Sequence, residues 1–429
     1  MNFLRYLLLL VVASCTFAMA TPLMAQPDCC LRRRDFEVVE EFLNSKRTID
    51  LCEKSCNLTI AGEVRFAWNH LTEKEFCNSI RGGNNIEPPN PIIPTLPRLP
   101  ISKNEFDCEF DLFLDYVCDR AWGVAWLEFL NKAGVERRLL QCVRDPSGCG
   151  GSGFCDGICM KKAYVGYNVW CDGDSRFDIE LGRRPLWTVF DSYIQFQERF
   201  DGLLLKFSTS FECWVDWYVN AGAFVIDERV NHFGYIIETG FMNIADIGLD
   251  FKYSFVNWAQ HGHNRCLVNN ALGWEFRNSQ WTLAYNLNPE LFCDAAAQVY
   301  GAVLFNHAAK RSDLTNGQRK GLGWYVGFLI GEVRLEGDWS LDITYEEVEA
   351  RAVSDCDVSG IGRGNVYCES FTINQRGNNN FKGWRFEGLY ALTDNLTLDT
   401  IIEFSRAADK RIGGQHSFSR LELAAIYAF

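Results

Sequence analysis

Apolar and polar residues alternate with a period of two along most of this chain, and this alternation constrains the fold more than any other feature. From Asn57 to Asn69 the even positions are apolar or glycine, and the odd positions between them are mostly polar or small. Successive side chains of a β-strand point to opposite faces, so the pattern predicts strands with one apolar face. Such segments recur at 57–69, 106–116, 120–131, 159–171, 174–183, 199–209, 212–225, 232–242, 246–256, 279–288, 295–307, 321–334, 339–352, 381–392, 396–406 and 418–429.

The connections between these segments alternate in length. Long connections such as 132–158 and 353–380 are separated by tight turns such as those at 172–174 and 393–395. Outer-membrane barrels have this organisation, with short periplasmic turns and long external loops, whereas a soluble β-sandwich shares only the alternation. We therefore predict an all-β fold, a transmembrane antiparallel β-barrel of about sixteen strands over 57–429.

The N-terminus is typical of a secretory signal. An apolar stretch at 6–13 follows Arg5, and small residues allow cleavage after Ala20 or Ala25. The residues from Val12 to Cys15 also fit a lipoprotein cleavage box, which would make Cys15 a lipidated N-terminus. We take 1–25 as a signal peptide and expect export to the cell outer membrane.

The last segment carries a second indication of a barrel. Leu421, Leu423, Ala425, Tyr427 and Phe429 share one face of the terminal strand. A terminal aromatic residue preceded by apolar residues at every second position resembles the signal that the barrel assembly machinery recognises. An ordinary edge strand that ends at a phenylalanine is the simpler alternative. We assign Tyr427 and Phe429 as the assembly signal.

Net charge and motifs exclude several functions. The chain has 55 acidic and 42 basic residues, a balance of −13, which argues against nucleic acid as a partner. Beyond the signal there is no hydrolase elbow, zinc-protease helix, phosphate loop or dinucleotide fingerprint, so we expect no enzyme, no cofactor and no metal. The six histidines lie at strand ends or in loops, where solvation is a simpler reading than a shared metal or proton-sensing site.

A barrel of this size encloses a lumen too wide for side chains to fill, so its function depends on what narrows the lumen. The connection 185–198, PLWTVFDSYIQFQE, is unusually apolar for a water-exposed loop and is predicted to fold inward. Its flanking arginines could face its acids across the passage, or could pair with strand carboxylates and hold the wall. The proposed constriction residues are Arg183, Arg184, Asp191, Glu198, Arg199 and Asp201.

Charged residues on the polar face of several segments are assigned to the lumen wall. Four acids on one strand face need water, and their number favours a cation-attracting vestibule. The assigned wall residues are Glu63, Arg65, Asp107, Glu109, Asp111, Asp115, Arg385, Glu387, Asp399 and Glu403.

The segment 26–56 is predicted to be a cysteine-rich periplasmic extension. Residues 36–43 have helical periodicity, and this short amphipathic helix could lie on the rim, plug the lumen or contact a partner. Removing Cys15 with the signal leaves 17 of the 18 cysteines, an odd number that permits an intermolecular bond. Disulfides are favoured over zinc in an exported chain. The disulfide candidates are Cys29, Cys30, Cys52, Cys56, Cys142, Cys149, Cys155, Cys159, Cys356 and Cys368.

Several stretches resemble known sequences. Residues 181–208, LGRRPLWTVFDSYIQFQERFDGLLLKFS, resemble the strand end, inserted loop and strand restart of porin-like proteins of Gram-negative bacteria. Together with DRAWGVAWLEFLNKAGVE, FVIDERVNHFGY, YALTDNLTL and the terminal IYAF, they are similar to a cysteine-rich porin-like outer-membrane β-barrel family of chlamydia-related bacteria. The similarity covers nearly all of 57–429 and implies an outer-membrane pore, without indicating a solute.

The sequence thus predicts a porin for passive diffusion of small hydrophilic solutes and ions, with disulfides that stiffen the envelope. The alternative is a disulfide-cross-linked structural or adhesin-like surface barrel with a closed lumen. The predicted partners are outer-membrane lipid, the barrel assembly machinery, the diffusing solutes, and other cysteine-rich envelope proteins or further copies of the chain.

Overall fold

The computed structural model describes most of the region in which the sequence alternates. The described residues are 48–50, 57–75, 78–79, 103–132, 158–211, 214–227, 232–258, 275–354, 357–361, 379–412 and 415–429. The predicted signal peptide and the predicted helix at 36–43 lie outside them.

Sixteen long strands form the wall, and each pairs in antiparallel fashion with its neighbours in the chain, which confirms the predicted fold class. Two short strands, Thr48–Asp50 and Asn78–Ser79, pair with the first wall strand. In chain order the wall strands are β1 (Leu58–Glu75), β2 (Asn104–Cys118), β3 (Ala121–Lys132), β4 (Ile158–Asp172), β5 (Ser175–Pro185), β6 (Arg199–Phe211), β7 (Val215–Asp227), β8 (His232–Ile244), β9 (Leu249–Asn257), β10 (Arg277–Leu287), β11 (Ala297–Asn306), β12 (Leu322–Gly331), β13 (Trp339–Val348), β14 (Phe381–Ala391), β15 (Leu396–Ala407) and β16 (His416–Ala428).

The barrel closes where β16 pairs with β1, from His416 opposite Glu75 to Ala428 opposite Glu63. The terminal residue extends this seam, because Gly62 and Phe429 exchange two backbone hydrogen bonds of 2.9 Å. Gly62 leaves room for the Phe429 ring at the seam, since a Cβ there would lie 2.6 Å from a ring carbon and the ring would have to shift. Closure leaves no unpaired sheet edge in the wall.

The two faces of the wall differ in the way that the alternation predicts. Large apolar side chains remain exposed on the outer face, including Phe66, Leu203, Ile237 and Leu423. An exposed apolar surface that recurs on nearly every strand exceeds what soluble proteins tolerate and matches the requirements of lipid. Acidic and amide side chains are buried on the inner face, including Glu63, Asp111, Gln280 and Glu422.

Helical structure in the described part of the chain is limited to 3-10 turns at Leu186–Thr188, Pro289–Phe292 and Asp313–Thr315. None of the described helices is long and apolar enough to span a membrane.

Candidate functional site

The inner face of β1 and β14–β16 carries a continuous set of ion pairs, which we call the charged belt: Arg65, Arg385, Arg420, Glu387, Asp399, Glu403 and Glu422. Strand pairing places these side chains next to one another, since Arg385 lies opposite Glu403, and Glu403 opposite Arg420. Each arginine contacts two acids, as when Arg385 reaches Glu387 at 2.7 Å and Glu403 at 3.6 Å.

The belt continues onto β2 and β3 as a group of three acids. Carboxylate oxygens of Glu109, Asp111 and Glu128 lie within 4.8 Å of one another. Trp126 donates its indole N–H to Asp111 at 2.8 Å, and Lys161 pairs with Glu128. Acids this close create a negative potential that attracts cations.

The other assigned wall residues lie on the same inner face. Glu63 is opposite Asp111 in the strand register, and Asp107 accepts a hydrogen bond of 3.4 Å from Asn69. Asp115 lies on β2 at even spacing from Asp111, so it shares that face.

Residues 186–198, which we call the inner loop, lie inside the barrel. Ser192 donates to Gln280 of β10 at 2.8 Å, and Tyr193 donates to Asp342 of β13 at 2.9 Å. These partners project from the inner face of strands far around the wall from β5 and β6, where the loop begins and ends. The loop therefore crosses the lumen instead of extending into solvent.

Apolar side chains of the inner loop explain why it folds inward. Leu186, Phe190 and Phe196 pack in one buried cluster with residues of β6–β9, and Ile194 packs in a second with residues of β11–β14. All four are at most 1% exposed. Burying such side chains stabilises the loop by about 1.5–3 kcal/mol each relative to a solvated loop.

Arg184 anchors the start of the inner loop. Its guanidinium pairs with the Glu180 carboxylate, donates to Thr188 Oγ1 at 3.0 Å and lies 4.7 Å from the centre of the Tyr164 ring. The Arg184 and Glu180 side chains are each 2% exposed, and Lys206 Nζ lies 3.6 Å from Glu180. Arg184 is thus a buried anchor and does not line an open passage.

The expectation that Arg183, Arg199 and Asp201 face the passage differs from the geometry. Arg183 makes a bidentate pair with Asp201, both at 2.7 Å, and the two side chains are about half exposed. Neighbouring residues of a strand point to opposite faces, so Arg183 shares the outer face with Leu181 and cannot act beside Arg184. Arg199 is exposed on the same outer face of β6.

Asp191 and Glu198 lie on the inner loop but make different contacts. Asp191 pairs with Lys252 of β9 at 2.8 Å and keeps 42% of its side chain exposed. Glu198 accepts the backbone N–H of Arg199 at 2.9 Å and donates its own backbone N–H to Asp357 at 3.2 Å. Sequence reasoning did not single out Lys252 and Asp357, which belong to no motif, or Tyr193, which lies in the loop 185–198 but carries no charge.

The cysteines in the described residues form no disulfide with one another. Cys108, Cys118, Cys159 and Cys293 carry free thiols. Cys159 is the one disulfide candidate within the described residues; the others lie outside them.

No protein-family description and no curated protein sequence matches the chain. Among solved structures, it is similar to OprB of Pseudomonas putida at high pH, with 11% identity over 92% of this chain and 97% of that chain, and a TM-score of 0.47. OmpF of Salmonella typhi in complex with daunomycin matches with 10% identity over 89% and 100% and a TM-score of 0.47. A mutant porin of Rh. blastica matches with 9% identity over 87% and 100% and a TM-score of 0.44. At these identities and TM-scores the similarities assign no solute. The fold is defined by the strand pairing of this chain.

Proposed function

We propose that the protein is an outer-membrane porin through which small hydrophilic solutes and ions diffuse passively. The apolar outer face of a closed barrel supports insertion in lipid, and the ionic inner face supports a water-filled interior. The resemblance to a cysteine-rich family of chlamydia-related bacteria is consistent with this proposal and stays a prediction.

The observation that carries the proposal is the solvent exposure of the three arginines of the charged belt. The side chains of Arg65, Arg385 and Arg420 remain 27–30% exposed although they lie on the inner face at mid-strand. Charged groups keep that exposure inside a barrel only where water reaches them. A passage therefore runs between the charged belt and the inner loop, which is fastened to the opposite side of the wall.

Charge within this passage favours cations. The belt holds four acids and three arginines, and the neighbouring acidic group of β2 and β3 adds to the negative potential. Because Arg183 and Arg199 lie on the outer face, they do not oppose this potential, and Asp191 is the inner-loop acid that we assign to the constriction.

Planar-bilayer recording of the full mature chain tests the proposal. We expect stepwise openings whose conductance rises with salt concentration, and a reversal potential of the sign that cation preference gives. Correctly folded protein that inserts but never conducts would contradict it and would favour the closed structural or adhesin-like barrel. In such a closed barrel, apolar packing like that of the two buried clusters would fill the rest of the lumen.

Assembly and disulfide stiffening are separate proposals. Tyr427 is exposed on the outer face and Phe429 ends the seam, as expected for residues presented to the assembly machinery. Deleting Phe429 should lower the amount of assembled protein in the outer membrane, and normal levels would contradict the assignment.

On gels of envelope protein, multimers that collapse to monomers with reductant would support intermolecular disulfides. Monomers both with and without reductant would exclude them.

A further inference from the structure

A second loop enters the barrel and contacts the inner loop. In the connection from β13 to β14 the structure describes 349–354, 357–361 and 379–380, and residues 357–361, here called the return segment, run beside the inner loop. Asp357 accepts the backbone N–H of Glu198 on Oδ1 and the backbone N–H of Gln197 on its carbonyl oxygen, both at 3.2 Å. Ser359 donates its backbone N–H to the Ile194 carbonyl at 3.0 Å. Ser359 Oγ also donates to Gln197 Oε1 at 3.5 Å, so four hydrogen bonds join segments that lie about 160 positions apart in the chain.

The return segment is itself fixed to the wall. Ile361 donates its backbone N–H to Glu346 Oε2 of β13 at 3.1 Å, and Val358 and Ile361 are each 1% exposed in the same cluster as Ile194. Asp357 is fully buried. Contacts with a wall strand on one side and the inner loop on the other give the return segment the position of a clamp.

The inner loop carries backbone strain at the point where the return segment holds it. Phe196 has a φ of +72°, a left-handed conformation that a bulky side chain adopts rarely. Its neighbours Ile194, Gln197 and Glu198 make these hydrogen bonds to the return segment. Strained residues persist where surrounding contacts over-determine them, so the loop has a reason to rearrange when these contacts are lost.

Gly360 indicates how closely the return segment fits. A Cβ at this position would lie 1.9 Å from Glu346 Oε2 and 3.0 Å from the Tyr193 carbonyl oxygen, and the φ of Gly360 is +85°. The chain therefore passes between the wall and the inner loop with no room for a side chain.

We propose that the return segment clamps the inner loop and thereby sets the width of the passage, with Asp357 as the positioning residue. Asp357 touches no solute, because it is buried; it acts through the backbone of the inner loop. The inference rests on the proposed porin function, since loop position matters to transport only if solutes pass.

The stretch 349–354, which precedes the return segment, is also held by hydrogen bonds. Before the return segment, Arg351 donates its backbone N–H to Lys320 at 2.8 Å, and the Val353 carbonyl accepts from Asn379 at 2.7 Å. The stretch 349–354 is therefore bonded to the β11–β12 connection.

Hydrogen exchange of the full mature chain in detergent tests the clamp without requiring transport. Asp357→Ala removes the carboxylate acceptor, whereas Asp357→Asn keeps an acceptor oxygen, and Asp313→Asn removes an exposed acid of another loop as a control. We expect peptides covering 193–198 to exchange about fivefold faster in Asp357→Ala, the value of one net hydrogen bond. In mildly acidic buffer, Asp357→Asn and the control should match the wild type. Unchanged exchange in Asp357→Ala would overturn the clamp whether or not the barrel conducts.

Single-channel recording then asks whether the clamp sets the passage. Asp357→Ala and Gly360→Ala should both give altered conductance and switching between levels, with Asp357→Asn close to the wild type. Heat-modifiable migration on gels identifies the folded barrels in each preparation. Faster exchange with unaltered conductance would overturn the role in transport, whereas silence of the wild type itself would count against the porin function and leave the exchange result standing.

Discussion

The two halves of the barrel interior are stabilised in different ways. Along β6–β13 the inner face is covered by the inner loop, which contacts it through hydrogen bonds such as those of Gln280 with Ser192 and Gln195, and through the Asp191–Lys252 ion pair. Along β14–β16 and β1–β3 no described loop segment covers the wall to the same extent, and the side chains form ion pairs such as Arg420 with Glu403.

This difference gives the two halves of the lumen different roles, one in holding the loops and one in transport. Buried charges are costly unless they are fully paired, so amides, hydroxyls and apolar rings suit the wall under the loop, where a buried carboxyl such as Glu238 accepts hydrogen bonds from Tyr218 and from the Asp191 backbone. Ion pairs that keep access to water cost less and present a field to passing solutes. The covered half thus positions the loops, and the charged half acts on what passes.

The largest change in conductance should follow from removing the inner loop from the lumen. Replacing residues 189–196 by a short Gly-Ser linker leaves the Arg184 anchor intact and takes the loop out of the lumen. We expect conductance to rise about twofold or more, because a sixteen-stranded wall encloses a wide channel when nothing narrows it. A matched replacement of 313–318, which lies in another connection, should leave conductance unchanged. Equal conductance of the two variants would contradict the division into halves.

Arg183 and Arg184 form a natural pair of controls for the anchor. Arg184→Ala leaves Glu180 buried with Lys206 as its remaining partner at 3.6 Å, so it should destabilise the folded barrel by about 3 kcal/mol. Arg183→Ala breaks a half-exposed pair and should cost less than about 1 kcal/mol. The temperature at which the folded barrel unfolds on gels measures both, and equal costs would show that Arg184 is no anchor.

The same pair shows how far the sequence determines the site. Strands and turns followed from the period of two, because membrane and lumen impose opposite requirements on alternate residues. The alternation also predicts the face of Arg183 correctly. Ile179 and Leu181 are apolar, and Arg183 lies at the next odd position, so all three share the outer face. The flanking position of the two arginines suggested a common role, but alternation places them on opposite sides of the wall.

The clamp could not be predicted in this way. Residues 357–361, DVSGI, form a short part of a long connection, and no periodicity marks a loop that turns inward. Their contact with the inner loop depends on the closed barrel, which brings the β13–β14 connection next to a segment that begins at β5. Only the three-dimensional path of the chain supplies that information.

A smaller effect is expected from the charged half. Arg420→Gln leaves Glu403 paired with Arg385 and Glu422 paired with Arg65, so the belt should persist with one positive charge fewer. We expect the ratio of cation to anion permeability to rise about twofold, as measured by the reversal potential in a salt gradient. Arg406→Gln removes the same charge from the exposed outer face of β15 and should change nothing. Equal shifts in both variants would mean that net charge, not the belt, sets selectivity.

The smallest effect should be a pH dependence in the covered half. Burial raises the pKa of the Asp357 carboxyl well above its usual range, and the charge of Glu198 adds to the rise, although backbone N–H groups of Glu198 and Phe196 oppose it. The clamped state therefore binds the proton more tightly than an open return segment does. Its stabilisation is complete below the ordinary aspartate pKa of about 4 and is lost as pH rises through the raised value.

After correction for the intrinsic effect of pH, hydrogen exchange of the peptides covering 193–198 should therefore be slowest in mildly acidic buffer. It should become faster as the pH is raised. Asp357→Asn imitates the protonated side chain, so its corrected exchange should stay slow and flat over the same range. A variant that retains the full pH dependence would place the titrating group elsewhere. A flat wild type would mean that the clamp holds equally well with Asp357 charged, and that the covered half tolerates a buried carboxylate which its hydrogen bonds alone stabilise.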